Sequence, residues 1–155
     1  DFGQDMSSAI TVTRNFNLKN INLDLHKELN TAGQIIRKDH FQRLEKGQGV
    51  SGSAMKSLSP KTVKAKGHSK ILVDSGKMRN LVIDKATKAK QITEIHPGRS
   101  QTYPNSNVTM SDVGAFHQEG AGSLPKREWF GISKGAESDI MRMMEMKIDR
   151  EIKSA

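Results

Sequence analysis

Cysteine is absent from this chain, and aromatic residues are scarce: one Trp, one Tyr and five Phe among 155 residues. Without Cys there is no disulfide and no thiolate metal site, a composition that fits a reducing compartment. Hydrophobic residues make up 34% of the chain, a low share for a globular domain. A thin core with long polar excursions is therefore expected. No apolar run approaches the ~20 residues that span a bilayer, so no membrane partner is expected. No N-terminal stretch has the charged-then-apolar pattern of a signal peptide. The length suits one domain, residues 1–155, with residues 1–8 read as a disordered arm.

Catalytic and cofactor signatures are also missing. No G-x-G-x-x-G, phosphate-binding loop, nucleophile elbow or HExxH occurs, and Gly47-Gln48-Gly49 lacks both the third Gly and a preceding strand. His26, His40, His68 and His96 fall in unrelated contexts. His117 and Glu119 are two apart, but a metal site needs three or four converging ligands. The preferred reading of His117 is a ring that hydrogen-bonds backbone near a strand end or faces a subunit boundary. Asp74-Ser75-Gly76 reads as a turn rather than as a nucleophile in its setting. No catalytic residue, metal or cofactor is expected, and a hydrolase built on Ser75 or His117 is the least favoured reading.

Charge is what the chain has in quantity. Between Lys56 and Lys90 stand ten basic residues and two acidic ones, so this segment carries the entire net charge of +8. A concentrated basic stretch suits a polyanionic neighbour, either nucleic acid or an acidic protein face. Lys56, Lys61, Lys64, Lys66 and Lys70 are the candidate contacts, and a merely solvated lysine-rich loop is the equally weighted alternative. Aromatics are not interleaved with the basic residues, so DNA would be met through phosphate alone, without sequence preference.

In order along the chain, Ala9–Thr13 is a β-prone alternation. A helix is expected from about Leu18 or Ile21 to Lys46, with Leu18, Ile21, Leu25, Leu29, Ala32 and Ile36 on one stripe. Lys27, Asn30, Gln34 and Lys38 fall on its opposite face, and Gly47, Gly49 and Gly52 end it. Residues 47–70 read as a long basic loop that opens at most one helical turn after Pro60. Ile71–Val73 is a short apolar run. Lys77–Asp84 and Ile92–Ile95 suit a hairpin. Val108–Met110 suits a short strand, Val113–Phe116 a strand or short helical turn, and Trp129–Ile132 a last strand. Lys134–Lys153 reads as a helix with Ile140, Met141, Met144, Ile148 and Ile152 buried. Met143 and Met146 fall on another face, which points either to subunit contact or to tolerated Met. The fold class is α+β: a small, mainly antiparallel sheet packed by a long N-terminal helix and a C-terminal helix, with long mobile loops.

The scarce large residues gather in Phe116–Ile132, which holds the only Trp, two of the five Phe, three of the thirteen Gly and one of the four Pro. Trp129 and Phe130 between a loop and a helix are more often core plugs than ligand platforms.

Three stretches together resemble a known family. They are Leu58-Ser59-Pro60-Lys61-Thr62 with Lys66, then Ile71–Arg79, then Phe116–Gly120 leading through Pro125, Arg127, Trp129, Phe130 and Gly131 to a closing helix. Their order is similar to that of the Mu-type virion morphogenesis, or tail-completion, proteins of tailed bacteriophages. Met55, Glu119 and Glu128 depart from the residues common there. The resemblance covers roughly residues 10–152 and implies a structural role for Leu72, Ser75, Gly76, His117, Gln118, Gly120, Pro125, Arg127, Trp129, Phe130 and Gly131. It implies a virion neck component that joins tail to head, a homo-oligomeric ring (hexamer or dodecamer) around the DNA channel, made in the host cytoplasm. Connector and tail-tube or tail-terminator proteins would be its neighbours. It implies no catalysis and no cofactor. A nonspecific nucleic-acid-binding protein using Lys56–Lys90 is the runner-up reading.

Overall fold

A twenty-residue helix carries the architecture, and the other elements are placed against it. The computed structural model describes residues 8–10, 23–73, 76–98, 101–102 and 106–154. The elements run β1 (Ser8–Ile10), α1 (His26–Glu45), α2 (Pro60–Lys66), a 3₁₀ turn (Lys77–Arg79), β2 (Val82–Asp84), β3 (Thr93–His96), α3 (Met110–Glu119) and α4 (Lys134–Ser154). This is an α+β fold with long N- and C-terminal helices around a small antiparallel sheet.

The sheet order is β1-β3-β2. The expected hairpin is present but shorter on its first side, where Lys77–Arg79 form the 3₁₀ turn and only Val82–Asp84 pair: Val82 opposite His96, Ile83 opposite Ile95 and Asp84 opposite Glu94. The N-terminal strand pairs with the other edge of β3, Ser8 opposite Ile95. Residues 11–13 of the expected strand lie outside the described residues.

On α1, Leu29, Ala32 and Ile36 are buried as the 3.6-residue spacing predicts, and Leu25 is buried just before the helix. The helix begins at His26, later than expected. Leu23 and Leu25 are both buried, a two-residue alternation that suits an extended entry and not a helical one. The positions expected at 18–22 lie outside the described residues. Gly33 explains how the sheet comes so near: a Cβ there would stand 3.0 Å from Thr93 Cγ2 and 3.2 Å from Ile83 Cγ2. Asn30 is a correction to the solvent face expected for it. Its Oδ1 accepts from the Ala86 backbone N–H at 2.8 Å and from the Thr93 hydroxyl at 2.9 Å. Its Nδ2 donates to the Ala86 carbonyl at 3.0 Å.

Helix α4 lies antiparallel along α1. Ser133 near its start donates to Asp39 Oδ1 at 2.9 Å, and Lys147 near its end feels the charge of Glu28. Ser133 also caps the helix by accepting from the Ala136 N–H at 3.2 Å. Ile140 and Met144 are buried and Ile148 and Met143 pack against the core, whereas Met141 and Ile152 are 55% and 44% exposed. Two corrections follow. Met141 and Ile152 leave the buried stripe, because α1 covers only one narrow side of α4. Met143 belongs to the core side, while Met146 is 56% exposed.

Three further expectations change. Residues 60–66 form a capped helix inside the expected loop, because Ser59 accepts from the Thr62 N–H, Pro60 opens the first turn, and Gly67 closes it in the left-handed conformation. Met110–Glu119 is one helix in place of two short pieces. Thr109 and Asp112 form a reciprocal capping box there. Trp129–Ile132 is not a strand.

Asn30→Ala is expected to lower unfolding stability by about 2–3 kcal/mol, since it strips partners from buried backbone and from Thr93. Chemical denaturation checks this; an unchanged midpoint would remove Asn30 as the bond between helix and sheet.

Candidate functional site

The segment Arg127–Gly131 buries Arg127 and Trp129 without joining a sheet and turns tightly at Glu128, where the Trp129 N–H donates to the Arg127 carbonyl at 2.9 Å, so its other backbone groups need partners elsewhere. Two side chains supply most of them. Gln118, on α3, accepts from the Trp129 and Phe130 N–H groups at 3.1 and 3.2 Å and donates to the Phe130 carbonyl at 3.3 Å. Arg43, on α1, donates to the Trp129 and Gly131 carbonyls, each at 3.2 Å. Asp39 holds that guanidinium at 2.8 Å from one turn earlier. Trp129 is fully buried, and its indole N–H donates to the Gly114 carbonyl at 3.0 Å. Its ring centroid lies 5.3 Å from His40 and 5.5 Å from Phe130.

The loop after α1 closes on the same segment. The Val50 N–H donates to the Glu128 carbonyl at 2.8 Å. Gly49 permits the approach, because a Cβ there would stand 2.9 Å from that carbonyl oxygen. Met55 is buried, and Glu119 and Glu128 face solvent. Arg127 itself is buried, with Nε donating to the Lys56 carbonyl at 3.1 Å and Nη2 to the Ser57 carbonyl at 3.5 Å.

The other residues of the resembling stretches fall around one cleft of about 270 Å³ beside this segment. Leu58, Leu72, Met78 and Val113 form its apolar wall. Thr62, Lys66, Gly76, Lys77, His117 and Arg127 complete it. The first two stretches, separated by only residues 67–70, and the third, which starts at Phe116, therefore meet here. His117 is a correction: it sits on a helix, not at a strand end, and its Nδ1 is buried with no hydrogen-bond partner. Burial first, then the charges of Arg127 and Lys66, lower its pKa. Gly120 caps α3 and Pro125 is half-buried. Ser75 lies outside the described residues.

The basic residues do not form one patch. Lys70 and Arg79 both pair with Glu45 at the end of α1, Lys70 at 3.3 Å. Lys66 donates to the Lys70 carbonyl at 3.1 Å and faces the cleft. Lys88 lies near Asp24, before the other end of α1, roughly 30 Å away at 1.5 Å per residue. Lys56, Lys61 and Lys64 are exposed, and among the described residues no ion pair holds them. No group of three or more His, Asp or Glu is arranged to hold a metal ion among the described residues. No described helix is long and apolar enough to cross a membrane.

His40 and Arg43 were not found from the sequence, although the signal existed: the stripe 25, 29, 32, 36 continues at 40 and 43, so polar side chains had to be buried there. No protein-family model matches the chain, and no curated protein or solved structure matches it either.

Burial lowers the His40 pKa to about 4, although its Nε2–H donates to the Met78 carbonyl at 3.0 Å. The unfolded chain takes up this proton near pH 6.5 and the folded chain only near 4. Stability present above pH 6.5 is therefore lost as pH falls towards 4, by about 2–4 kcal/mol. Unfolding measured from pH 7.5 down to 4.5 should show this slope, flattened in His40→Gln; equal slopes in both proteins would refute it. Trp129→Ala is expected to cost about 3–5 kcal/mol, and a wild-type melting curve would show that the indole is not core.

Proposed function

We propose that this chain is a structural component of a tailed-phage virion, a tail-completion or neck protein that joins tail to head as a homo-oligomeric ring around the DNA channel. The observation that carries this reading is the convergence of the three resembling stretches on one cleft and one buried segment. Met141 and Ile152, exposed together on one side of α4, are candidates for a subunit face of the kind a ring needs, with Met146 exposed on another side. The connector and the tail-tube or tail-terminator proteins are its neighbours in this reading. Lys61 and Lys64 on α2 are exposed and would meet DNA phosphate or an acidic neighbour in this reading.

Nonspecific nucleic-acid binding is the second reading. Lys56, Lys61 and Lys64, exposed and without an ion pair among the described residues, favour it, while the division of the basic segment between the two ends of α1 weighs against one continuous DNA track.

Negative-stain images and solution mass of the purified chain should show rings, and purified virions should contain it. A concentration-independent monomer that is absent from virions would overturn the proposal. Lys61→Glu with Lys64→Glu should leave the melting temperature unchanged and lower the yield of infectious particles. Steeply salt-dependent binding to any duplex by a chain that never enters virions would establish the second reading instead.

A further inference from the structure

The cleft beside Arg127 combines two linings that packing alone does not require. Leu58, Leu72, Met78 and Val113 make one wall apolar, while the charged groups that line it, Lys66, Lys77 and Arg127, are all cationic. No described lining residue is acidic. Arg127 is the decisive group. It is 5% exposed and cannot lose its proton. Its described partners are the neutral carbonyls of Lys56 and Ser57, and no carboxylate pairs with it among the described residues. Those carbonyls occupy Nε and Nη2, while the Nη1 end of the guanidinium, still within reach of solvent, has no described acceptor. A buried charge whose only acceptors are neutral is costly, and a counter-anion removes the cost.

Two independent features point to the same place. His117 Nδ1 is buried in the cleft region without a partner. Leu72 is the one described non-Gly residue at positive φ, 55°. A bulky side chain is rarely held in that conformation, and such strain gathers at ligand clamps. The volume of about 270 Å³ lies just below the ~300–1,000 Å³ of drug-sized ligand pockets, which suits a small ligand. A bare inorganic anion would gain nothing from the apolar wall, and an uncharged apolar ligand would gain nothing from the cations.

We propose that this cleft binds a carboxylate carried on a short aliphatic body, with Arg127, Lys77 and Lys66 receiving the carboxylate and Leu58, Leu72, Met78 and Val113 receiving the methylenes. An acidic side chain of a partner polypeptide and a free short-chain dicarboxylate present this same chemistry. The assignment stands on charge and shape and does not rest on the virion reading.

His117 is the reporter. Burial first, and then the charges of Arg127 and Lys66, lower its pKa, and a carboxylate that offsets those two charges raises it again. Glutarate is titrated into the full chain labelled with ¹⁵N-histidine, at constant ionic strength, with inorganic phosphate and an acetylated, amidated Leu-Glu-Leu peptide run in parallel. Saturable shifts of the His117 ring resonances and an upward move of its pKa are expected with glutarate or the peptide. Lys77→Gln should weaken binding about tenfold, the effect of losing one charge-assisted hydrogen bond. Val113→Glu, which puts a carboxylate of the chain's own in the cleft, should abolish it. Circular dichroism establishes that each variant is folded; if Val113→Glu is not, Lys66→Gln takes its place with the tenfold weakening expected of Lys77→Gln. Tighter binding of the peptide assigns a polypeptide partner, and tighter binding of glutarate a free dicarboxylate; both support the site. The proposal is overturned if no ligand gives a saturable shift, if phosphate matches glutarate, or if the folded variants bind as the parent does.

Discussion

Buried backbone that joins no sheet must find its hydrogen bonds elsewhere, and in this protein the whole interior turns on how that is done for residues 127–131. Gln118 serves this segment from α3 and Arg43 from α1. Each uses its several donors or acceptors on successive peptide groups, replacing a neighbouring strand. The arrangement couples elements that would otherwise have little reason to associate. Asp39 orients Arg43 and also receives Ser133, so the ion pair that fixes the clamp also fixes the start of α4. A chain with few large apolar residues thereby obtains a unique interior from polar geometry as much as from apolar area.

This explains which parts of the fold could be read in advance. Long amphipathic stretches were legible, because Leu29, Ala32 and Ile36 repeat with helical spacing and Ile140 and Met144 do the same in α4. The hairpin of β2 and β3 was legible for the same reason. Trp129–Ile132 was not, since β-prone residues look alike whether a strand or a pair of side chains takes up their hydrogen bonds. The start of α1 was misplaced because Leu18, Ile21 and Leu25 satisfy a helical period, while Leu23 and Leu25 satisfy an extended one. The α3 boundary had a readable signature in Thr109 and Asp112. The candidate site was legible as a set of residues but not as a cleft, because Lys66, Lys77, His117 and Arg127 lie on separate stretches of chain.

The positive charge looks different once it is folded. In the linear chain it is one block; in space Glu45 neutralises part of it at one end of α1, and Arg79 lies over the Phe41 ring, 4.7 Å from its centroid. What is left is divided among the exposed lysines of α2, the enclosed cations of the cleft and the lysines near the far end of α1. Exposed charges of this kind mainly set encounter rates and tolerate salt poorly. Enclosed ones select among ligands. The same run of sequence thus contributes to two physically distinct surfaces.

Arg43 also imposes an order on synthesis. Its carbonyl partners are Trp129 and Gly131, which a ribosome working at ~5–20 residues per second adds roughly 4–18 seconds after Arg43 itself. Until then the second half of α1 presents the Arg43 guanidinium, held by Asp39 alone, and a His40 ring still without the indole it packs against. The nascent chain cannot close its interior from the front. Completion waits until residues 127–131 are made, and a fragment ending before residue 127 would carry α1 without the segment that gives Arg43 its carbonyl partners.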